Sequence, residues 1–242
     1  MSPRKPTQPP REPTAPGTGR RPRAPRKRTP GRPTGEGPDL RARVLDAAIA
    51  CFVRQGIAAT SLRAIAAEAH VTPALLHYYF GDKEQLVGAV LQERVMPAFD
   101  VVREAVLAAA DDDIAGLVAG YVRGVSQAVS LHPWLPALWV REVLCEGGAL
   151  REAVFNQVAP MPVMIAQRLA AAQARGQINA DLDPRLLVIS LVGLTLFPAA
   201  GAPIWRRIFE ASDIGVDAMR DHTLALLDHG LGLAGSPLKD RP

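Results

Sequence analysis

The chain has little to brace it covalently and no set of residues that marks a catalytic centre. Its two cysteines, Cys51 and Cys145, are too few for a disulfide framework. No Gly-rich loop with a Walker-type lysine occurs, and no Cys/His pair stands at metal-ligand spacing. The five histidines, at 70, 77, 132, 222 and 229, are scattered, and neither Asp221–His222 nor Asp228–His229 can pair across one helix face. These absences predict neither an enzyme nor a metal or cofactor protein. Aromatic residues make up 5% of the chain, and no segment alternates with period two over a useful length, which excludes a sheet-based fold. No apolar stretch near the start reads as a signal peptide, so a reducing cytoplasm is the expected compartment.

Ala and Leu are abundant, and with 48% hydrophobic residues over 242 positions the sequence predicts an all-α protein with a sizeable core. Charge is divided unevenly. Residues 1–38 carry ten Lys or Arg against Glu12 and Glu36, a balance of +8, whereas the chain as a whole has a formal charge of +4. The same segment holds 11 of the 22 prolines and almost nothing large and apolar. Such a composition cannot offset chain entropy, and residues 1–38 are expected to form a disordered basic tail. Leu186–Ile204 is nineteen residues long without a charge. Pro198 and Pro203, with Gly193 and Gly201, are expected to cut it into a helix of about three turns and a loop, a buried or interface helix rather than a membrane span.

Val44, Leu45, Ala48, Ile49 and Phe52 fall at helical spacing, and Gly56 stands where such a helix stops. Thr60 or Ser61 can cap the next segment, whose stripe is Leu62, Ile65, Ala66 and Ala69. Thr72 and Pro73 open a third helix that ends at Gly81, and Asp82 caps a fourth, longer one. Residues 39–86 therefore read as a small helical module, 87–234 as a larger helical domain, and 235–242 as a disordered end.

Counted from Leu62, the second and third helices have the spacing of a helix-turn-helix. Two helices that cross closely need a small residue at the fifth position, met by Ala66. The fourth, eighth, tenth, fifteenth and eighteenth must be apolar, and Ile65, Ala69, Val71, Leu76 and Tyr79 comply. The ninth, in the turn, favours Gly because φ is often positive there; His70 departs from that, at an expected local cost of about 1 kcal/mol. The stretch "TSLRAIAAEAHVTPALLHYYFGDKEQL" resembles the N-terminal DNA-binding domain of the TetR family of repressors, matching at Thr60, Ile65-Ala66, Val71-Thr72, Tyr78-Tyr79-Phe80 and Lys83. His77, His70 and Ala74 stand where the family usually has Tyr, Gly and often Gly.

The resemblance implies that Leu76, Tyr79 and Phe80 hold the recognition helix from behind. Thr72, Pro73, Ala74, Leu75, His77 and Tyr78 are then left for the major groove and its rims. Thr60, Ser61, Thr72 and Lys83 are expected to face phosphates. Residues 23–35 also resemble an AT-hook in Gly31, Arg32 and Pro33, though Pro30 stands where Arg is usual; a solvated, nonspecific basic tail is the alternative. In the larger domain, Trp134 and Trp139 with Phe99, Tyr121, Phe155 and Phe197 are candidates to line a cavity. Gln127, Arg141 and Glu142 would be its polar groups, unless these are ordinary core and interface residues. The resemblance implies a homodimer whose helices near 184–197 and 213–231 pair. It also implies a small, apolar effector and a palindromic double-stranded DNA operator. The alternative function is an architectural or nucleoid-associated DNA binder without a ligand.

Overall fold

A computed structural model describes residues 38–231, so the basic tail, its Arg32 and the C-terminal end lie outside the described residues. The described residues are helical, with no strand among them. Helix α1 (Pro38–Gln55) buries Leu45, Ala48, Ile49 and Phe52 and ends at Gly56, whose N–H still reaches the Phe52 carbonyl at 2.8 Å and whose φ of +86° then turns the chain out of the helix. Ser61, not Thr60, caps α2 (Leu62–Glu68), its Oγ accepting from Ala64 N–H at 3.1 Å. His70 takes φ +55° in the turn that follows. Thr72 caps α3 (Pro73–Phe80), and Asp82 caps α4 (Lys83–Val90).

Helix α4 runs on through a π turn, Leu91–Val95, into α5 (Met96–Leu107). The cause is Pro97, which has no N–H for the Glu93 carbonyl and would crowd it in a regular helix. The wider turn relieves the ring, and the Glu93 carbonyl accepts instead from Arg94 Nη1 at 3.0 Å.

The larger helical domain is built on α5 and α6 (Ile114–Leu131), which approach so closely that a Cβ on Gly120 would sit 2.5 Å from the Ala105 carbonyl oxygen. Around this pair stand α7 (Leu135–Trp139) with a second π turn at Val140–Leu144, α8 (Arg151–Val158), α9 (Pro160–Ala174), α10 (Pro184–Ile208) and α11 (Val216–Leu231).

The break expected at Pro198 does not occur, because α10 passes through both prolines as one helix. Pro198 leaves the Leu194 carbonyl without its helical donor, and the buried Thr223 hydroxyl of α11 stands 3.2 Å from it while also lying 2.9 Å from the Met219 carbonyl of its own helix, so one proton is shared between the two. Downstream, Trp205 Nε1 donates to the Pro198 carbonyl at 2.7 Å. The core of the N-terminal module also extends beyond residue 86. Leu138, Leu150 and Val154 from the larger domain pack into it beside Phe52, Leu86 and Val90.

Candidate DNA-binding face and ligand cavity

Helix α3 is anchored on one side and bare on the other. Leu76 and Phe80 are buried, Leu75 and Tyr79 are half-buried against the same core, and Tyr78 stands 83% exposed. Thr72, Pro73, Ala74 and His77 share that open side. Leu75 thus belongs mainly to the anchoring side. Thr72 Oγ1 accepts the Leu75 N–H at 3.2 Å, which leaves its hydroxyl proton to donate outward at the helix start. The Tyr78 ring meets Tyr79 edge-on, centroids 5.5 Å apart, and is steered by that contact away from the core.

Thr60 is corrected by the structure. It is 2% exposed, its hydroxyl donates to the Gly56 carbonyl at 2.6 Å and accepts from Gln55 Nε2 at 3.2 Å, so it ties the α1–α2 turn instead of facing solvent. Ser61 remains exposed beside it. Lys83 is half-buried with Nζ donating to the Ala58 carbonyl at 2.9 Å, which leaves the other ammonium protons on the same edge. Arg63, exposed in the first turn of α2, adds a cation that sequence reasoning passed over; its position next to the Ser61 cap was the available signal.

The module is tied to the long helix by charge. The Arg41 guanidinium grips the Glu93 carboxylate with two nitrogens, Nε at 3.0 Å, and lies 4.7 Å over the Phe80 ring. The hydrogen bond from Arg41 holds the Glu93 carboxyl below its ordinary range. Arg94 Nε reaches Asp46 at 2.8 Å.

A second tie comes from Glu142, which sequence reasoning gave to the ligand cavity. Its carboxyl is 4% exposed; Oε1 accepts from Ile57 N–H at 2.9 Å, and Oε2 accepts from Ala149 N–H at 3.1 Å. Ile57 opens the α1–α2 turn, so a side chain of the larger domain holds the backbone of the module directly. The clue in the sequence was a carboxyl within an apolar run, which has no partner at helical spacing.

An apolar cavity of about 80 Å³ lies in the larger domain. Of the residues predicted to line it, Phe99, Tyr121 and Trp139 do so, joined by Met161, Ile165 and Val192. Phe155 and Phe197 are corrected, since both point to solvent at 65% and 74% exposure. Gln127 lies on the outer side of α6, away from Tyr121, Val125 and Ala128, and Arg141 is likewise exposed. Trp134 is half-buried between the two cores, its ring 5.4 Å from that of His132, and does not line the cavity. Burial pushes the Tyr121 hydroxyl up to about 12, with a hydrogen bond to Thr195 opposing the shift. Among the described residues no cluster of His, Cys, Asp or Glu is placed to hold a metal ion.

With that geometry in view, residues 44–90 match the family described as bacterial regulatory proteins, tetR family. This segment is a TetR-type helix-turn-helix domain. Over 184 residues, 75% of this chain and 89% of the relative, the sequence is 27% identical to the HTH-type transcriptional repressor SCO4008 of Streptomyces coelicolor. The HTH-type transcriptional repressor Rv3405c of Mycobacterium tuberculosis is 49% identical over 59 residues, which span 24% of this chain and 31% of the relative. Among solved structures, the ketosteroid transcriptional regulator KstR2 of Mycobacterium tuberculosis superposes with a TM-score of 0.66 at 20% identity, covering 81% of this chain and 97% of that one. The fold is thus a helix-turn-helix head joined to a larger helical domain. The shorter match is the closer in identity, as expected if the head holds most of the shared sequence.

Proposed function

We propose that the chain is a homodimeric transcriptional repressor of the TetR type, whose grip on a palindromic operator is released by a small molecule in the larger domain. The observation that carries this reading is the division of α3 into a buried back and an open face running from Thr72 to Tyr78. Placed in a major groove, Ala74, His77 and Tyr78 would meet base edges, while Thr72, Ser61, Lys83 and Arg63 would meet phosphates. The effector reading draws support from the cavity and from Glu142. Trp139 borders the cavity, and the π turn that follows it carries the carboxyl that holds Ile57. A molecule that displaced Trp139 would move that carboxyl and tilt the head. A few kcal/mol of difference in effector affinity between the two head positions is enough for such a switch. The reading places the protein in the cytoplasm with DNA.

The test begins by selecting bound fragments from genomic DNA and titrating their consensus against random DNA. Tyr78→Ala should weaken consensus binding by about 1–3 kcal/mol, with the circular dichroism spectrum unchanged. Unaltered affinity and base preference in that variant would remove α3 from the interface. A protein that binds random DNA as tightly as the consensus would be architectural instead.

A further inference from the structure

The cavity carries chemistry that narrows what it accepts. It is walled by apolar side chains, and no Lys, Arg, His, Asp or Glu lines it. An ion entering would leave its water without a countercharge to replace it. The polar atoms at its wall are therefore few. The Tyr121 hydroxyl pairs with Thr195, and the Thr195 hydroxyl donates onward to the Leu191 carbonyl at 2.7 Å. Thr195 thus already gives the Tyr121 hydroxyl a hydrogen-bond partner. Trp139 differs: its Nε1 is buried without a hydrogen-bond partner, one of two such side-chain atoms among the described residues, and the other, Arg168 Nε, does not line the cavity.

A buried N–H left unpaired is costly and is seldom retained without reason. The Phe99 ring lies 5.4 Å from that of Trp139 and is tilted by 59°, and Nε1 itself is closed off from the cavity, so an acceptor reaches it only as the surrounding side chains shift. We propose that the cavity receives an uncharged, largely apolar molecule, about one small ring in size, whose single hydrogen-bond acceptor takes the N–H of Trp139. Size follows from volume. At about 80 Å³ the space is smaller than the roughly 150 Å³ cavity that takes up benzene, so a ring enters only as the flexible Met161 shifts. The proposal rests on the effector reading for its regulatory meaning, but its test measures binding alone. Operator titration without any compound checks the repressor reading separately.

Three probes of one shape separate the outcomes: acetophenone, with a carbonyl acceptor; α-methylstyrene, with a methylene in place of that oxygen; and benzoate, with a charge. Each is titrated into full-length protein labelled with ¹⁵N-tryptophan, and the indole resonance of Trp139 is assigned as the one missing in Trp139→Phe. Acetophenone should bind about five- to tenfold more tightly than α-methylstyrene, the effect of one neutral hydrogen bond, and should move the Trp139 indole proton downfield. Benzoate should show no saturable binding. Trp139→Phe should bind the two neutral probes equally. If that variant fails to fold, the indole shift in the native protein decides. Equal affinity for the two neutral probes, shifts confined to Trp134 and Trp205, benzoate bound as well as acetophenone, or no saturable binding of any probe would each overturn the proposal.

Discussion

Two histidines, His70 in the head and His132 in the larger domain, show how far single residues set the behaviour of the fold. His70 holds φ +55° between α2 and α3, a conformation that costs a β-branched residue more than it costs His. His70→Val should therefore lower stability by about 1–2 kcal/mol in urea denaturation. His70→Gly should come within about 1 kcal/mol of the native protein, because the relief of strain is offset by greater freedom in the unfolded chain. A fully stable His70→Val protein would mean that the turn is not left-handed. His132 acts through protons. Burial, with repulsion from Arg94 second, lowers its pKa, so the folded state binds a proton less readily than the unfolded one. Stability should fall as the pH drops below about 6.5, where the unfolded imidazole charges first. Glu93 adds a second loss below the ordinary carboxylate range, since its depressed carboxyl stabilises the fold only while ionised. Urea titrations across pH 4–8 should show the upper step in the native protein and not in His132→Gln; identical curves would assign that step elsewhere.

Helix α10 shows why elements were legible in kind but not in extent. Spacing located the head, with Ile65, Ala66 and Leu76 buried where a helix-turn-helix needs them, because those constraints lie within one short segment. The two prolines pointed to a break at Pro198, and from local chemistry that is the right expectation. The Leu194 carbonyl finds a donor instead in Thr223, distant in sequence, whose hydroxyl shares its proton between that carbonyl and that of Met219 in its own helix. Glu142 was misassigned for the same reason, as its partner Ile57 lies 85 positions away. Thr223→Val should cost about 1–2 kcal/mol by leaving that carbonyl unpaired, while Thr223→Ser should cost less. Pro198→Ala returns an N–H to the Leu194 carbonyl, so Thr223→Val should cost less in that background. A double-mutant cycle by thermal denaturation reads the difference, and additive costs would show that the hydroxyl does not replace the missing donor.

At the scale of the molecule, α10 has more apolar surface than one chain covers. Its most apolar 18-residue window is only 28% buried, against 61% for α6. Length and composition alone would let either helix cross a membrane. The uncovered side chains of α10 are ordered as a stripe: Leu186, Ile189, Phe197, Ile204 and Ile208 recur at helical spacing, with Gly193 and Ala200 filling the interval. An exposed apolar stripe of that length marks a contact surface, and a two-fold axis would let the same stripe on a second copy cover it. Val192 and Leu224 are poor places to test this, because Val192 lines the cavity and Leu224 is 1% exposed in the protomer core. Ile189 and Phe197, at 66% and 74% exposure, touch the stripe without touching the core. Ile189→Arg with Phe197→Arg should sediment as a monomer with native helical content. Operator affinity should fall at least about a hundredfold, since the second head no longer benefits from the effective concentration that linkage provides. Single half-site affinity should stay close to that of one native head. A double variant that still sediments as a dimer would place the interface on another face, and a monomer that binds the full operator at native strength would mean that one head suffices.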